Sequence, residues 1–140
     1  TKRSFAVMIL DLDRFKSVND SFGHAAGDEV LVEVAKRIRD NLRGVDLVAR
    51  IGGEEFLIAM PDTSLAVVRI AAERLRHAAE QKPIPISAAP HSINVTLSIG
   101  VAMGDGQSHN LTELLARADR ALFTAKSDGR NQVTVSLTAA

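Results

Sequence analysis

Leu47-Val48-Ala49-Arg50-Ile51-Gly52-Gly53-Glu54-Glu55-Phe56-Leu57-Ile58-Ala59-Met60 is the stretch whose reading decides the fold. Two apolar runs flank a pair of glycines, and two carboxylates follow the glycines at once. The pattern predicts a β-hairpin with strands over about residues 46–51 and 55–60, turned by Gly52-Gly53. Glycine there gives the backbone access to positive φ and clears space for something bulky to approach the main chain. The carboxylates then stand at the tip, within reach of a metal ion. A Gly-Gly hairpin alone is most often only a turn, so its meaning depends on what else converges on that tip.

Upstream, Phe5-Ala6-Val7-Met8-Ile9-Leu10 is a continuous apolar run, expected as a strand buried on both faces and ending in Asp11-Leu12-Asp13. A turn of helix is expected over 14–21, closed by Gly23. Gly27-Asp28 opens the first long helix, whose apolar stripe is Val30, Leu31, Val34, Ala35, Ile38 and Leu42, with Gly44 as a stop. Downstream, Pro61-Asp62-Thr63-Ser64 leads into a second helix carried by Leu65, Val68, Ala72, Leu75 and Ala79 to about Gln81. Pro83 and Pro85 break it, and residues 82–92 are an irregular connection or a short edge strand. Residues 92–102 alternate as one strand, with Ile93, Val95, Leu97, Ile99 and Val101 on a shared face. After a loop at Gly104-Asp105-Gly106, Asn110 and Glu113 form a capping box for a third helix that Gly129 ends, and residues 132–137 make a last strand. The order gives an α+β sandwich with helices on one side of a mostly antiparallel sheet, in a ferredoxin-like, polymerase-palm topology.

At 140 residues the chain is long enough for one domain, 1–140, and 46% hydrophobic residues supply its core. The 17 basic and 17 acidic residues cancel, which argues against a nucleic-acid surface but not against a single nucleotide. There is no cysteine, hence no disulfide, zinc-thiolate site or cysteine nucleophile, in keeping with a reducing, cytoplasmic setting. No apolar run reaches membrane-spanning length, no leader is visible, and the four histidines show no His-x-x-x-His pair.

In a palm-like sheet the first strand lies beside the hairpin, so Asp11 and Asp13 meet Glu54 and Glu55 at one end. Clustered like charges repel and need a reason to be there. A hard divalent cation is one, since Mg²⁺ takes one or two carboxylates plus substrate phosphates. The plainer alternative is that Asp13 caps the helical turn and Asp11 merely ends the strand. Lys126 and Arg130 fit a phosphate ligand, or complement the helix dipole at the C-terminus of the third helix. Asn19 and Asp28 flank the loop Phe22-Gly23-His24-Ala25-Ala26-Gly27. A carboxylate at Asp28 can accept from both the N1–H and N2–H₂ of guanine while Asn19 reads a neighbouring edge; Asp28 could equally be an N-terminal helix residue. Lys16 could neutralise phosphate charge or be an ordinary exposed lysine.

Taken together, Asp11-Leu12-Asp13-Arg14-Phe15-Lys16, Asn19-Asp20-Ser21-Phe22-Gly23-His24, Gly27-Asp28, Gly52-Gly53-Glu54-Glu55-Phe56, Lys126 and Gly129-Arg130-Asn131 resemble the GGDEF-domain diguanylate cyclases, in the right order over nearly all the chain. Within that family the chain is most similar to cyclases of the response-regulator type. The resemblance implies the joining of two GTP molecules into cyclic di-GMP with release of pyrophosphate. It implies that Asp11, the Leu12 carbonyl and Glu54 hold Mg²⁺ or Mn²⁺, two ions per active site. Asn19 and Asp28 would read guanine, Phe15, Lys126, Arg130 and the Gly52-Gly53 backbone would contact substrate, and Lys16 would stabilise transition-state charge. Glu55 matches the second acidic position, as metal ligand or general base. Each domain would hold one GTP, so catalysis requires a homodimer.

Arg43-Gly44-Val45-Asp46 has the Arg-x-x-Asp form, with five residues between Asp46 and Gly52. It is similar to the family's product-inhibition site: Arg43 would fork onto phosphate or guanine, Asp46 would accept from guanine, and Arg74 matches the secondary contact. Family domains usually begin with an Asp-x-Leu-Thr-x-Leu-x-Asn-Arg segment, and this sequence starts only a few residues before the first strand. An upstream receiver or sensory domain is therefore expected. Two further readings stand beside the cyclase: a catalytically weak cyclic di-GMP receptor using Arg43 and Asp46, and a related cyclase with another base preference.

Overall fold

A computed structural model describes residues 4–104 and 110–136. The elements are β1 (Phe5–Leu12), α1 (Phe15–Phe22), α2 (His24–Asp40), β2 (Leu47–Arg50), β3 (Glu55–Pro61), α3 (Leu65–Gln81), β4 (Ile84–Pro85), β5 (Ser92–Ile93), β6 (Leu97–Gly104), α4 (Leu111–Ser127) and β7 (Val133–Val135). The main sheet has the order β2-β3-β1-β6-β7. β1 is antiparallel to both β3 and β6, and only β6–β7 is parallel. β4 and β5 form a small sheet of their own. The loop expected at Gly104-Asp105-Gly106 lies largely outside the described residues.

β1 is the central strand, and its alternation sends side chains into two separate layers. Ala6, Met8 and Leu10 join Phe56, Ile58, Met60, Ile99 and Val101 beneath α2 and α3. Val7 and Ile9 join Ala102 on the opposite face, beneath Leu114, Ala118 and Leu122 of α4. The expectation of helices on one side is thereby corrected. An apolar run buried on both faces requires cover on both, and α4 supplies the second layer. The mostly antiparallel α+β architecture itself is as read from the sequence.

α4 approaches the sheet closely because Gly100 has no side chain. A Cβ at Gly100 would lie 2.2 Å from the Ala118 carbonyl oxygen and 2.3 Å from the Leu122 nitrogen. Gly100→Ala is expected to lift α4 and destabilise the domain by about 2 kcal/mol, measured by urea denaturation.

Other boundaries differ for local reasons. Residues 92–102 are broken at 94–96 into β5 and β6, although Ile93, Val95, Leu97, Ile99 and Val101 do share one core. α2 begins at His24 after Gly23 (φ 92°), so Gly27 and Asp28 sit inside its first turns rather than opening it. Ser64 and Asn110 cap α3 and α4, accepting from the Val67 and Glu113 amides. No described helix is long and apolar enough to cross a membrane.

Candidate active site

The hairpin tip and the end of β1 meet as the topology requires. Asp11 stands opposite Glu55 in the β1–β3 register, and the Leu12 amide donates to the Glu54 carbonyl at 3.2 Å. The Ile51 amide donates to the Glu55 carbonyl at 3.0 Å and closes the turn over Gly52, Gly53 and Glu54. Neither glycine lies in the left-handed region, which corrects the expectation of positive φ. What they provide is room. A Cβ at Gly53 would meet nothing within 4 Å, and one at Gly52 only the Glu55 side chain, at 3.5 Å.

Asp11 is 4% exposed, and its Oδ1 is buried without a hydrogen-bond partner. Its Oδ2 accepts from the Lys126 ammonium on the last turn of α4. Burial raises the Asp11 carboxyl above its ordinary range and Asp13 adds to the rise, against the pull of Lys126 and Arg130. Glu54 and Glu55 are also raised, first by burial and then by the Asp11 charge. Three carboxyl groups thus crowd one end of the sheet with one close ammonium among them.

Asp13, the fourth candidate, is not part of this group. Its Oδ2 accepts from Thr96 Oγ1 at 2.6 Å and from the Asn131 amide at 3.0 Å, and its Oδ1 from Ser98 Oγ at 2.6 Å. Nor does it cap α1, whose N-cap is Arg14 at φ 58° without a side-chain cap. Asp13 is a structural clamp on the turn after α4. That turn places Gly129, Arg130 and Asn131 at φ 126°, 66° and 50°, a run that is costly for the two non-glycine residues. Arg76 Nη1 donates to Asn131 Oδ1, and Asn131 Nδ2 donates to Glu80 Oε2, both at 2.9 Å. The clamp, from α3 on one side and Asp13 on the other, fixes the backbone that carries Arg130. Sequence reasoning missed Asp13, Asn131, Arg76 and Glu80 in this role. The available signal was Thr96 and Ser98, polar at alternate positions in an otherwise apolar stretch.

A second group lies on α1 and α2. Asn19 is half-buried with its Oδ1 fully enclosed, beside Gly27; Asp28 is exposed. An open groove of about 280 Å³ runs from Leu31 and Ala35 of α2 to Val48, Arg50 and Phe56 of the hairpin. Phe15 is in the core, so its side chain is not a substrate surface and only its backbone is left for that role. Lys16 and Arg130 are exposed.

Arg43 and Asp46 are paired, with Arg43 Nη2 to Asp46 Oδ1 at 2.7 Å and the Arg43 amide to Oδ2 at 2.8 Å. Arg43 Nη2 also donates to Thr63 Oγ1 at 2.8 Å and to the Pro61 carbonyl at 3.0 Å. The Asp46 side chain is completely buried and both its oxygens are engaged by Arg43. In this arrangement Asp46 orients Arg43 and is not open to guanine, unlike the direct contact expected from the sequence. Arg74 stands exposed on α3.

The residues fit a divalent cation by their chemistry. Hard oxygen donors, an orphaned buried carboxylate oxygen and mutual charge repulsion stand together at one end of the sheet. Among the described residues no group of three or more carboxylate or histidine side chains is arranged to hold a metal by itself, so any ion there would share its coordination with the Leu12 carbonyl and substrate oxygens.

Residues 1–132 match the family model described as "Diguanylate cyclase, GGDEF domain". Diguanylate cyclase A of Treponema denticola is 43% identical over 135 residues, 96% of this chain and 36% of that protein. Response regulator PleD of Caulobacter vibrioides is 44% identical over 128 residues, 91% of this chain and 28% of that one. Among solved structures, the GGDEF domain of DgcB from Caulobacter crescentus, in complex with c-di-GMP, superposes with a TM-score of 0.90 at 31% identity, covering 97% of this chain and 77% of that chain. The chain thus spans about a third of the length of the curated relatives it matches.

Proposed function

This chain belongs to the GGDEF diguanylate cyclase family, and from that premise we propose that it condenses two GTP molecules into cyclic di-GMP and pyrophosphate, as a homodimer in the cytoplasm. The observation that carries this reading is the buried, half-partnered Asp11 carboxylate set against Glu54 and Glu55 at a turn left open by two glycines.

Asp11, the Leu12 carbonyl and Glu54 would hold two Mg²⁺ or Mn²⁺ ions. When bound, such ions lower the pKa of an attacking hydroxyl and neutralise charge on the leaving pyrophosphate. The chain's own residues do the rest. Gly52 and Gly53 let phosphates approach the main chain. The Phe15 backbone lies at the first turn of α1, where amides favour an anion, and exposed Lys16 beside it supplies positive charge. Lys126 sits close enough to the carboxylates to reach a phosphate that a cation would hold beside them, and Arg130 is presented by the clamped turn after α4. Asp28 would accept from the N1–H and N2–H₂ of guanine. Glu55, opposite Asp11 in the strand register, would act as a metal ligand or as a general base. One domain carries one set of these groups, so the second nucleotide must come from a facing copy.

The test is to incubate the protein, in a dimerised full-length form, with GTP and Mg²⁺ and to look for cyclic di-GMP. Formation of product supports the reading, and its absence from an activated dimer would refute it.

Product inhibition would act at Arg43, with Arg74 as the secondary contact and Asp46 as the buried group that aims Arg43. Arg43→Ala is expected to weaken cyclic di-GMP binding at least roughly tenfold by calorimetry. The same change leaves Asp46 buried and unpaired and should lower stability by about 2 kcal/mol, so a melting curve must accompany the titration. An upstream receiver or sensory domain would bring two copies together.

A further inference from the structure

The α1–α2 junction contains two features that each cost free energy. Gly27 lies inside α2, where alanine is the better helix former. Asn19 Oδ1 is buried beside it and accepts no hydrogen bond within the chain, which native structures seldom tolerate without cause. The two are one arrangement. A Cβ at Gly27 would lie 1.9 Å from Asn19 Oδ1, 3.0 Å from its Cγ and 3.1 Å from Phe15 Cζ. The amide occupies the space that any other residue would fill.

The surroundings are fixed, so only the Asn19 side chain could yield. Phe15 is packed in the core. The Asn19 carbonyl is held as the acceptor for the Gly23 amide at 2.8 Å, and the Gly23 carbonyl accepts from the Gly27 amide at 3.1 Å. Oδ1 is the enclosed end of the half-buried amide and Nδ2 is not, so Nδ2 is the end turned outward; exposed Asp28 follows Gly27 in the chain.

We infer that Gly27 is a specificity-determining positioning residue: its missing side chain forms a niche that locks the Asn19 amide with Nδ2 outward, as a donor to a guanine acceptor flanking the edge that Asp28 reads. The inference rests on the guanine-nucleotide reading above and names what sets the geometry of its base contact. An acceptor at O6 or N3 adjoins the N1–H and N2–H₂ donors, so a fixed donor beside a carboxylate selects guanine over adenine, whose matching edge has the reverse polarity.

The test is Gly27→Ala, Asn19→Ala and the double variant in the full-length protein. Affinity for an α,β-methylene GTP analogue is measured by calorimetry, steady-state KM and kcat with GTP, and folding by thermal melting. Gly27→Ala should stay folded, bind the analogue roughly tenfold more weakly and raise KM more than it lowers kcat. Its preference for the GTP analogue over the ATP analogue should narrow by a similar factor. The double variant should bind like Asn19→Ala alone, because both changes remove one contact. Unchanged affinity in Gly27→Ala, additive losses in the double variant, or a lower melting temperature with affinity retained would overturn the niche. An Asn19→Ala protein that binds as tightly as the parent would overturn the assignment of Asn19 to the base and the role of Gly27 with it, whereas its continued turnover of GTP would leave the proposed activity standing.

Discussion

Glu54→Gln is expected to cut cyclic di-GMP formation by roughly three orders of magnitude or more, while the folded domain becomes more stable without added metal. Glutamine keeps the size of the side chain and one carbonyl oxygen but loses the negative charge. At the hairpin tip that charge is held against Asp11 and Glu55, and burial with the Asp11 charge raises the Glu54 carboxyl above its ordinary range. A carboxyl group raised in the folded state binds its proton more tightly there than in the unfolded chain. It therefore costs stability at neutral pH, and the cost disappears as pH falls below the unfolded value. Removing Glu54 removes part of that cost at pH 7, so the variant should melt higher than the parent in chelator. Added Mg²⁺ should raise the melting temperature of the parent more than that of the variant. Retained turnover, or the same Mg²⁺ stabilisation in both proteins, would withdraw Glu54 from the proposed metal site.

The largest loss of stability is expected at Asp13. Asp13→Ala removes one carboxylate and strands three donors, the Thr96 and Ser98 hydroxyls and the Asn131 amide. Charge-assisted bonds of this kind place the cost at about 3 kcal/mol, or roughly 10 °C in Tm. The Asn131 amide belongs to a turn with φ of 66° at Arg130 and 50° at Asn131, which nothing local favours for arginine. Without Asp13 that turn keeps its tie to α3 through Arg76 and Glu80 but loses its tie to the end of β1. Asp13→Asn, which keeps one acceptor, should fall between the two. A thermal melt within a degree or two of the parent would show that the hydroxyls and the turn find other partners.

The fold was legible where local chemistry and tertiary packing agree. The continuous run of β1, the Gly52-Gly53 hairpin, the helix-starting turn Pro61-Asp62-Thr63-Ser64 and the cap at Asn110 each specify their element by short-range rules, and each element is found. The second helical layer was not legible, because two-faced burial of β1 states that cover is needed and not which helix provides it. The candidate site divides in the same way. Asp11 beside Glu54 and Glu55 follows from strand order. Asp13, two residues away and of the same type, has a different task, decided by Thr96, Ser98 and Asn131, which are more than 80 residues distant in the chain. Asp46 was read as open to a ligand because sequence shows a carboxylate near an arginine and cannot show that both its oxygens are already spent.

The absence of a side chain at Gly100 reaches beyond packing. The contact with Ala118 and Leu122 sets how deeply α4 settles on the sheet, and Lys126 is only four residues past Leu122, about 6 Å along a helix. α4 is in effect a lever resting on a fulcrum in the middle of the sheet, with the ammonium that meets Asp11 on its short arm. The gap between cation and carboxylates is thus calibrated from a position that touches neither.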